Sequence, residues 1–501
     1  MSLSRRGVFV LVAAFSGFTI NAWVSLRVRS PEPAIHDEFS YLLAADTFAQ
    51  GRLTNPTHPL WRHFESFHII HEPSYQSKYP PGQAMVLALG QGVGGHPRVG
   101  LWLSMAAAAA ALCWMLQGWI PSRWAFAGVL VWLLHPKFTA WWGQTYWGGA
   151  VAMTGGALVF GAVPRLCRPR PRAVDAVALA CGMVVLAWTR PFEGIVAGIP
   201  ALAVVANAVR AAPDRREAVA RVVAPIALIG AVGIAWLGYY NYRVTGDVFK
   251  LPYTVWADTY QSAGAVLRHQ ELIRYRGSAE LGIVDELVRL ASLYWMSIFW
   301  LPLLALPETL RSRRFRLALL VACIVVGVSV VVSKGWPHYS APITCLVIAL
   351  AARGLAVVYH TRVAGVSLRP LVVVFFCAQL VIMTRYFAEP PGALWSPSWH
   401  LDRVGVEQSL RSKPGKHLVV VRYAPDHNVH REWVYNRADI DASRVVWARE
   451  MDPGADHRLL DYFKDRTAWL VFADEDPPRF VRYETADEAQ GMPARAVTSP
   501  R

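Results

Sequence analysis

Charge is scarce in this chain. Asp, Glu, Lys and Arg supply 17% of its 501 residues, whereas soluble domains carry about a quarter, so too little charge is present to coat several water-soluble domains. Cysteine is sparse as well. Cys113, Cys167, Cys181, Cys323, Cys345 and Cys377 lie in apolar runs or in a basic loop, and none lies in the long polar segments, which argues against a disulfide framework and a cysteine zinc site. Neither a P-loop nor a Rossmann glycine fingerprint occurs, so ATP and NAD are unsupported. No repeat of solenoid period is present.

What is abundant points the other way. The chain is 54% hydrophobic with 21 Trp, 36 Gly and 33 Pro, and its mean hydropathy is +0.28. This is the composition of a polytopic membrane protein with many interface rings and broken segments. The formal charge of +15 is not a nucleic-acid footprint. Residues 1–387 hold 34 basic against 17 acidic side chains, and residues 388–501 hold 16 against 18, so the excess lies between apolar runs, where it sets topology.

A spanning helix needs roughly 17–25 apolar residues. Eleven runs qualify: about 7–26, 99–119, 123–138, 146–163, 173–189, 193–209, 222–240, 290–306, 317–333, 339–358 and 368–386. The first follows Ser4-Arg5-Arg6 with no small-residue cleavage site after it, and reads as an uncleaved first helix. Residues 82–95 are apolar but short, reaching about 21 Å as a helix, and read as interfacial or re-entrant. The short basic connections are Arg5-Arg6, Arg165 to Arg172, Arg210 to Arg221, Arg311 to Arg316 and Arg353-Arg362-Arg369. The positive-inside rule then assigns all of them, and the N-terminus, to the cytoplasm. Segments 27–98, 135–148, 189–194, 241–289 and 333–342 and the C-terminal tail fall on the opposite face. Polar chemistry is gathered on one side of the membrane.

The expected architecture is therefore a mostly α transmembrane bundle over 1–387, carrying a first outer loop at 27–98, followed by a small extracytoplasmic α/β domain over 388–501. In that domain HLVVVRY (417–423), SRVVWARE (443–450) and TAWLVFAD (467–474) read as buried strands, and ADHRLLDYFKD (455–465) as a helix. The last ~15 residues read as disordered.

The candidate chemistry begins in IHDEFSY (35–41) with the adjacent carboxylates Asp37 and Glu38. Partial desolvation at the membrane boundary raises a carboxyl pKa and suits base work; the plainer reading is an acid capping an amphipathic helix over 38–50. Lys78 and Tyr79 precede the rigid Pro80-Pro81 turn. The lysine is suited either to holding a phosphate or to snorkelling toward lipid headgroups. Arg190 and Glu193 occupy the break in WTRPFEG, where a charge needs a partner, each other included. His338 and Tyr339 in GWPHYSAP can donate hydrogen bonds to a phosphate or a sugar, and Trp336 beside them is an ordinary interface residue. Asn241, Arg243 and Asp247 in YYNYRVTGD show no diagnostic spacing. His58, His63, His68 and His71, with Glu65 and Glu72, crowd the first outer segment. His68 and His71 share a face if helical; a metal site is one reading, solvated loop histidines the plainer one.

Taken together, HDEFSY, KYPPG, TRPFEG and PHYSAP after a first helix resemble the GT-C glycosyltransferases. Within these they resemble the bacterial family 39 enzymes, related to protein O-mannosyltransferases and the aminoarabinose transferases of lipid A. The resemblance covers roughly residues 1–387. It implies a multi-pass enzyme of the bacterial inner membrane that moves a hexosyl or pentosyl group from a polyprenyl-phosphate donor to a lipid, glycan or protein acceptor at the outer face, by inverting displacement. On that resemblance Asp37 is the general base, Glu38 a secondary carboxylate that orients the acceptor or Asp37, and Lys78 the cation facing the lipid phosphate. Tyr79, Arg190, His338 and Tyr339 are further donors to that phosphate. Family members with and without a divalent cation exist, and His68 and His71 are the candidate ligands for one.

Two other classes stay open. A lipid-linked glycan polymerase or ligase shares the substrate, but normally gathers its Arg and His residues in one large late loop, whereas here the long membrane-domain loop is the first. A transporter or flippase needs ionisable groups along its path, whereas most here lie at helix ends. Nucleic acid is not an expected partner; membrane lipids are.

Overall fold

The computed structural model describes residues 4–28, 30–260, 288, 300–333, 337–388, 399–428 and 431–483. Most of the expected span at 290–306, Trp336 and the end of the tail lie outside the described residues. By its internal contacts the chain divides into two compact units. One comprises 1–31, 80–239 and 279–390, and the other comprises 32–79, 240–278 and 391–501.

The first unit is helical. Its described elements are α1 (Arg5–Trp23, prolonged by a wider turn to Val28), then, beyond the polar helix α2 of the second unit (His36–Ala49), α3 (Gly82–Gly94), α4 (Arg98–Leu116), α5 (Ser122–Leu133), α6 (Pro136–Gly143), α7 (Ala150–Leu166), α8 (Ala173–Thr189), α9 (Pro191–Arg210) and α10 (Arg215–Thr245). Small residues let these helices approach. Gly17 of α1 faces α4 so closely that a Cβ there would stand 2.7 Å from the Met105 carbonyl oxygen, and the alanine run of α4 buries Ala108, Ala109 and Ala111. Backbone proximity of this kind gives van der Waals cohesion where lipid removes the hydrophobic drive between helices. A continuous apolar core results, with Leu112, Leu116, Trp132, Phe138, Trp142, Met153 and Leu355 among its buried members.

Six described helices are long and apolar enough to cross a membrane: Arg5–Val28, Arg98–Leu116, Pro191–Arg210, Arg215–Thr245, His338–His360 and Arg369–Ala388. They correspond to six of the eleven apolar runs and make the chain a multi-pass membrane protein. Arg313–Ser333 is a further apolar helix of 21 residues. Three other runs form shorter helices, Ser122–Leu133, Ala150–Leu166 and Ala173–Thr189. The run at 123–138 is cut because Pro136 bars its predecessor His135 from helical geometry, so the chain restarts as α6. Residues 82–94 are a helix of 13 residues, about 20 Å long.

The second unit is built on a four-stranded sheet. After α11 (Pro252–Tyr260), and beyond the first unit's α12 (Trp300–Leu304), α13 (Leu306–Thr309), α14 (Arg313–Ser333), α15 (Ala341–His360) and α16 (Arg369–Ala388), come α17 (Trp399–Ser412) and α18 (Pro453–Tyr462). The short pairs β1 (Ile69–Ile70) with β2 (Gln76–Ser77), and β3 (Arg362–Val363) with β4 (Val366–Ser367), are antiparallel. The sheet holds β5 (His417–Arg422), β6 (Val445–Arg449), β7 (Thr467–Phe472) and β8 (Arg479–Arg482) in the order β6-β5-β7-β8. The first three are parallel and β8 returns antiparallel to β7. Continuous apolar runs such as HLVVVR suit strands covered on both faces, and β5 is buried over its first five residues. On edge strand β6 the Asn436 side chain imitates a neighbour: its amide donates to the Trp447 carbonyl (2.7 Å) and its oxygen accepts the Trp447 N–H (2.9 Å).

Residues 32–79 share the core of this sheet. Phe39, Leu43, Phe64, Ile69 and Tyr75 join Leu418, Val420, Trp433 and Trp447 in one buried cluster. Phe39 stacks on Tyr435 with ring centroids 4.0 Å apart, and the buried Asp46 carboxylate accepts from Arg437 (2.6 Å) and from the Ala438 N–H (3.0 Å).

Candidate active site

The acidic pair is split by the start of α2. Glu38, the third residue of the helix, turns back so that Oε2 accepts the N–H groups of Ala34 (2.8 Å) and Ile35 (3.3 Å). It is 3% exposed and caps the helix, satisfying donors that would otherwise be orphaned. Asp37, one residue earlier, points elsewhere and keeps 22% of its side chain exposed.

Four side chains from three stretches of the chain, the start of α2, the turn before β1 and the segment after β2, converge on Asp37. Tyr79 donates its hydroxyl proton to Oδ1. His68 Nδ1 lies 3.6 Å from the same oxygen and 2.9 Å from the Tyr79 hydroxyl, while His36 Nε2 lies 3.5 Å from Oδ2. Lys78 is near enough to act on the carboxylate by charge. The β1–β2 pairing brings His68 and Lys78 together, because the Lys78 N–H donates to the His68 carbonyl (3.3 Å). Ser40 donates to that same carbonyl (2.7 Å). These anchors matter because His68 sits at φ +67°, a left-handed conformation of order 1–3 kcal/mol above the ordinary regions for a side-chain-bearing residue.

The electrostatics follow. Burial works to raise the Asp37 carboxyl, but the charge of His68, then of His36 and Lys78, outweighs it and holds the group well below the usual carboxylate range. Burial lowers Lys78 well below the ordinary ammonium value, with Asp37 opposing. Lys78 is 3% exposed and its ammonium is ringed by aromatic faces: Trp256 at 3.4 Å, Tyr253 at 5.0 Å, Tyr79 at 5.2 Å and Phe67 at 5.9 Å to the centroids. Ring faces attract a cation and cost it less than an aliphatic wall.

His36, Phe67, Tyr253 and Trp256 were not singled out from sequence. The signal for the last two is the spacing of Tyr253, Trp256 and Tyr260 on α11, an i, i+3, i+7 stripe on one helix face. His71 takes no part in the cluster. It stacks between Trp61 (6.0 Å) and Tyr75 (5.1 Å), and burial pushes its pKa down to about 3. Among the described residues, the one set of three groups whose donor atoms approach within 4.8 Å of one another is His36, Asp37 and His68. Two imidazoles and a carboxylate suit zinc, and the 3.5 and 3.6 Å separations from Asp37 are near the ~3.3 Å edge of a tetrahedron with bonds of about 2.0–2.1 Å.

Arg190, Glu193, His338 and Tyr339 belong to the first unit, and Asn241 and Asp247 to the second. Pro191 opens α9 and leaves Arg190 between two helices, with its guanidinium 4.8 Å from the centre of the Tyr339 ring. His338 packs 4.5 Å from Tyr339 and 4.9 Å from Trp147, centroid to centroid. Glu193 is buried in the first turn of α9. Asn241 donates to the Val248 carbonyl (3.2 Å) and Asp247 accepts the Phe249 N–H (2.8 Å), both turn-building roles.

No family model matches the sequence, and no curated protein matches it. Its three-dimensional structure does have counterparts. ArnT from Cupriavidus metallidurans in the apo state superposes with a TM-score of 0.56 at 15% identity, over 93% of this chain and 92% of that one. The chain has the GT-C fold. The same ArnT bound to undecaprenyl phosphate gives a TM-score of 0.53 at 15% identity with the same coverage. The Archaeoglobus fulgidus oligosaccharyltransferase in complex with zinc and sulfate gives 0.51 at 12% identity, over 93% of this chain and 67% of that one. The GT-C fold agrees with the resemblance drawn from HDEFSY, KYPPG, TRPFEG and PHYSAP.

Proposed function

We propose that this protein is a membrane glycosyltransferase that moves a hexosyl or pentosyl group from a polyprenyl-phosphate donor to a hydroxyl or amine acceptor, with Asp37 as the base. The observation that carries this reading is the side-by-side pairing of an ionised carboxylate, fixed by Tyr79 and His68, with the buried cation of Lys78. The GT-C fold, and its occurrence in a protein bound to undecaprenyl phosphate, support a lipid phosphate as the leaving group.

In this reaction the acceptor oxygen or nitrogen attacks the anomeric carbon from the face opposite the phosphate. The carbon–oxygen bond to phosphate breaks, the polyprenyl phosphate departs with the electron pair, and the configuration inverts. The acceptor proton passes to Asp37 as the new bond forms, when the acceptor is most acidic, so a carboxylate held well below its usual range serves. Lys78 neutralises charge on the leaving phosphate. Glu38 fixes the start of α2 from which Asp37 projects. The arginine pattern supports a cytoplasmic N-terminus and an extracytoplasmic second unit; a bacterial inner-membrane location is what the resemblance implies.

A second reading draws on the donor set itself: His36, Asp37 and His68 would hold a divalent cation. Such a cation would offset negative charge near the reacting phosphate.

The test is turnover of polyprenyl-phosphate sugars by membranes carrying the wild type or Asp37→Asn at equal expression. Loss of turnover with donor binding retained is the expected result. Full turnover by Asp37→Asn would remove the carboxylate from the chemistry. Loss of wild-type turnover in EDTA, restored by zinc, would favour the second reading.

A further inference from the structure

One end of the helical unit carries positive charge that the proposed reaction does not use. The spans α15 and α16 are joined there by the β3–β4 hairpin, so this end lies at a membrane face. Two arginines reach the exit from α15 and a third follows it in the chain. Arg123, in the first turn of α5, brings Nη2 to 3.3 Å from His360 Nε2. Arg369, which opens α16, lies 5.1 Å over the Tyr359 ring. Arg362 opens the hairpin and is exposed, as are the other two. Among the described residues no carboxylate lies within 4.0 Å of any of the three. Arginines that only set topology need not gather around four consecutive residues, 359–362, from three separate elements.

Apolar features accompany the charge. Val363 and Val366 are cross-strand partners and are 58% and 67% exposed, so the hairpin shows an apolar pair between basic residues, the composition of an interfacial anchor. Behind it lies a cavity of about 370 Å³ lined by Leu301, Leu304, Val357 and Leu371, and also by Thr361 and Leu368, the chain neighbours of Arg362 and Arg369. Glu308 also lines the cavity, and its carboxylate pairs with Arg311 at 2.7 Å.

We propose that this end of the bundle binds an anionic phospholipid, with Arg123, Arg362 and Arg369 on the headgroup phosphate and an acyl chain in the adjoining cavity. Guanidinium groups match phosphate oxygens in pairs, and unpaired basic pockets between spanning helices attract anionic headgroups. The site does not depend on the transferase reading.

The test is native mass spectrometry of the full chain released from detergent, titrated with phosphatidylglycerol and, separately, with phosphatidylethanolamine of the same acyl chains. Wild type is expected to retain phosphatidylglycerol at least ten-fold better. The combination of Arg123→Ala, Arg362→Ala and Arg369→Ala is expected to abolish that preference, since each arginine near a charged surface contributes about five-fold. Ala305→Phe, which fills the cavity without touching charge, is expected to weaken retention of both lipids. Replacing Arg168, Arg170 and Arg172 together by Ala, a basic loop elsewhere, is expected to change nothing. Equal retention of the two lipids by wild type, or an undiminished preference in the triple variant, would overturn the proposal. Should the triple variant fail to fold, the wild-type comparison and Ala305→Phe still decide it.

Discussion

The Lys78 ammonium lies 3.4 Å from the centre of the Trp256 ring, with Trp256 on α11 and Lys78 just after β2. A desolvated cation–ring contact of this kind contributes about 2 kcal/mol and lets a lysine stay charged where burial would drive off its proton. Lys78→Ala is expected to lower kcat/KM for a polyprenyl-phosphate donor by roughly 10²–10³-fold. Trp256→Ala tests the contact by a different route. Trp256→Ala removes the ring contact, which lowers the Lys78 pKa, but it also opens the box to water; because burial is the main reason that pKa is low, the second effect is expected to win and the alkaline limb of the activity profile to move to higher pH. An unmoved limb would show that Trp256 does not set the charge of Lys78.

Tyr79 controls the other half of the pair. Its hydroxyl donates to Asp37, which stabilises the ionised carboxylate, so Tyr79→Phe should raise the Asp37 pKa. Activity that requires the carboxylate is lost as pH falls through that pKa, and the acid limb should therefore shift upward. A fall in kcat of about ten-fold is expected, on the scale of one charge-assisted hydrogen bond. If instead only KM rises and the limb stays, Tyr79 serves the donor phosphate rather than the base.

The two clusters differ in how far they were legible. HDEFSY and KYPPG are contiguous motifs, and the β1–β2 pairing that closes them uses residues only six or eight apart, so the neighbours of Asp37 were within local reach. Trp256 and Tyr253 stand about 180 residues later in the chain, and helical spacing announces a buried face without saying what it covers. Glu38 shows the opposite difficulty: its type suits catalysis, but its position three residues into a helix serves the cap. The parallel strands were readable because a strand covered on both faces is a continuous apolar run. Strand β8, RFVR, has charge at both ends and a partly open pattern, which reads equally well as a turn. Tertiary partnership explains the rest: nothing local to 32–79 indicates that Phe39 and Asp46 belong with Tyr435 and Arg437.

That partnership has a measurable strength. Asp46 is 5% exposed and accepts from Arg437 Nη2 and Nε and from the Ala438 N–H. Asp46→Ala leaves a buried amide without its acceptor and should destabilise the second unit by roughly 2–3 kcal/mol. Arg437→Ala should cost less, about 1 kcal/mol or below, because its side chain is 58% exposed and solvent screens the pair. The check is the midpoint of thermal unfolding in detergent, followed by tryptophan fluorescence. Equal shifts for the two variants would mean that the ion pair, not the Ala438 contact, dominates.

His71 gives the same unit a dependence on acid. Its ring is buried between Trp61 and Tyr75, Nε2 has no hydrogen-bond partner among the described residues, and burial, with a smaller contribution from His58, pushes the pKa down to about 3. In the unfolded chain the ring regains a pKa near 6.5. Between those values the unfolded state binds the proton and the folded state does not, so stability is full above about pH 6.5 and declines as pH falls. The loss at pH 5 is about 2 kcal/mol, from 1.36 kcal/mol for each unit of pH below 6.5. His71→Phe keeps the stacking and removes the titration. Its unfolding midpoint should therefore fall less than that of wild type between pH 7 and pH 5, with the two proteins similar at pH 7. Parallel acid slopes would mean that the imidazole is hydrated or protonated in the folded protein, and that the sandwich between Trp61 and Tyr75 opens.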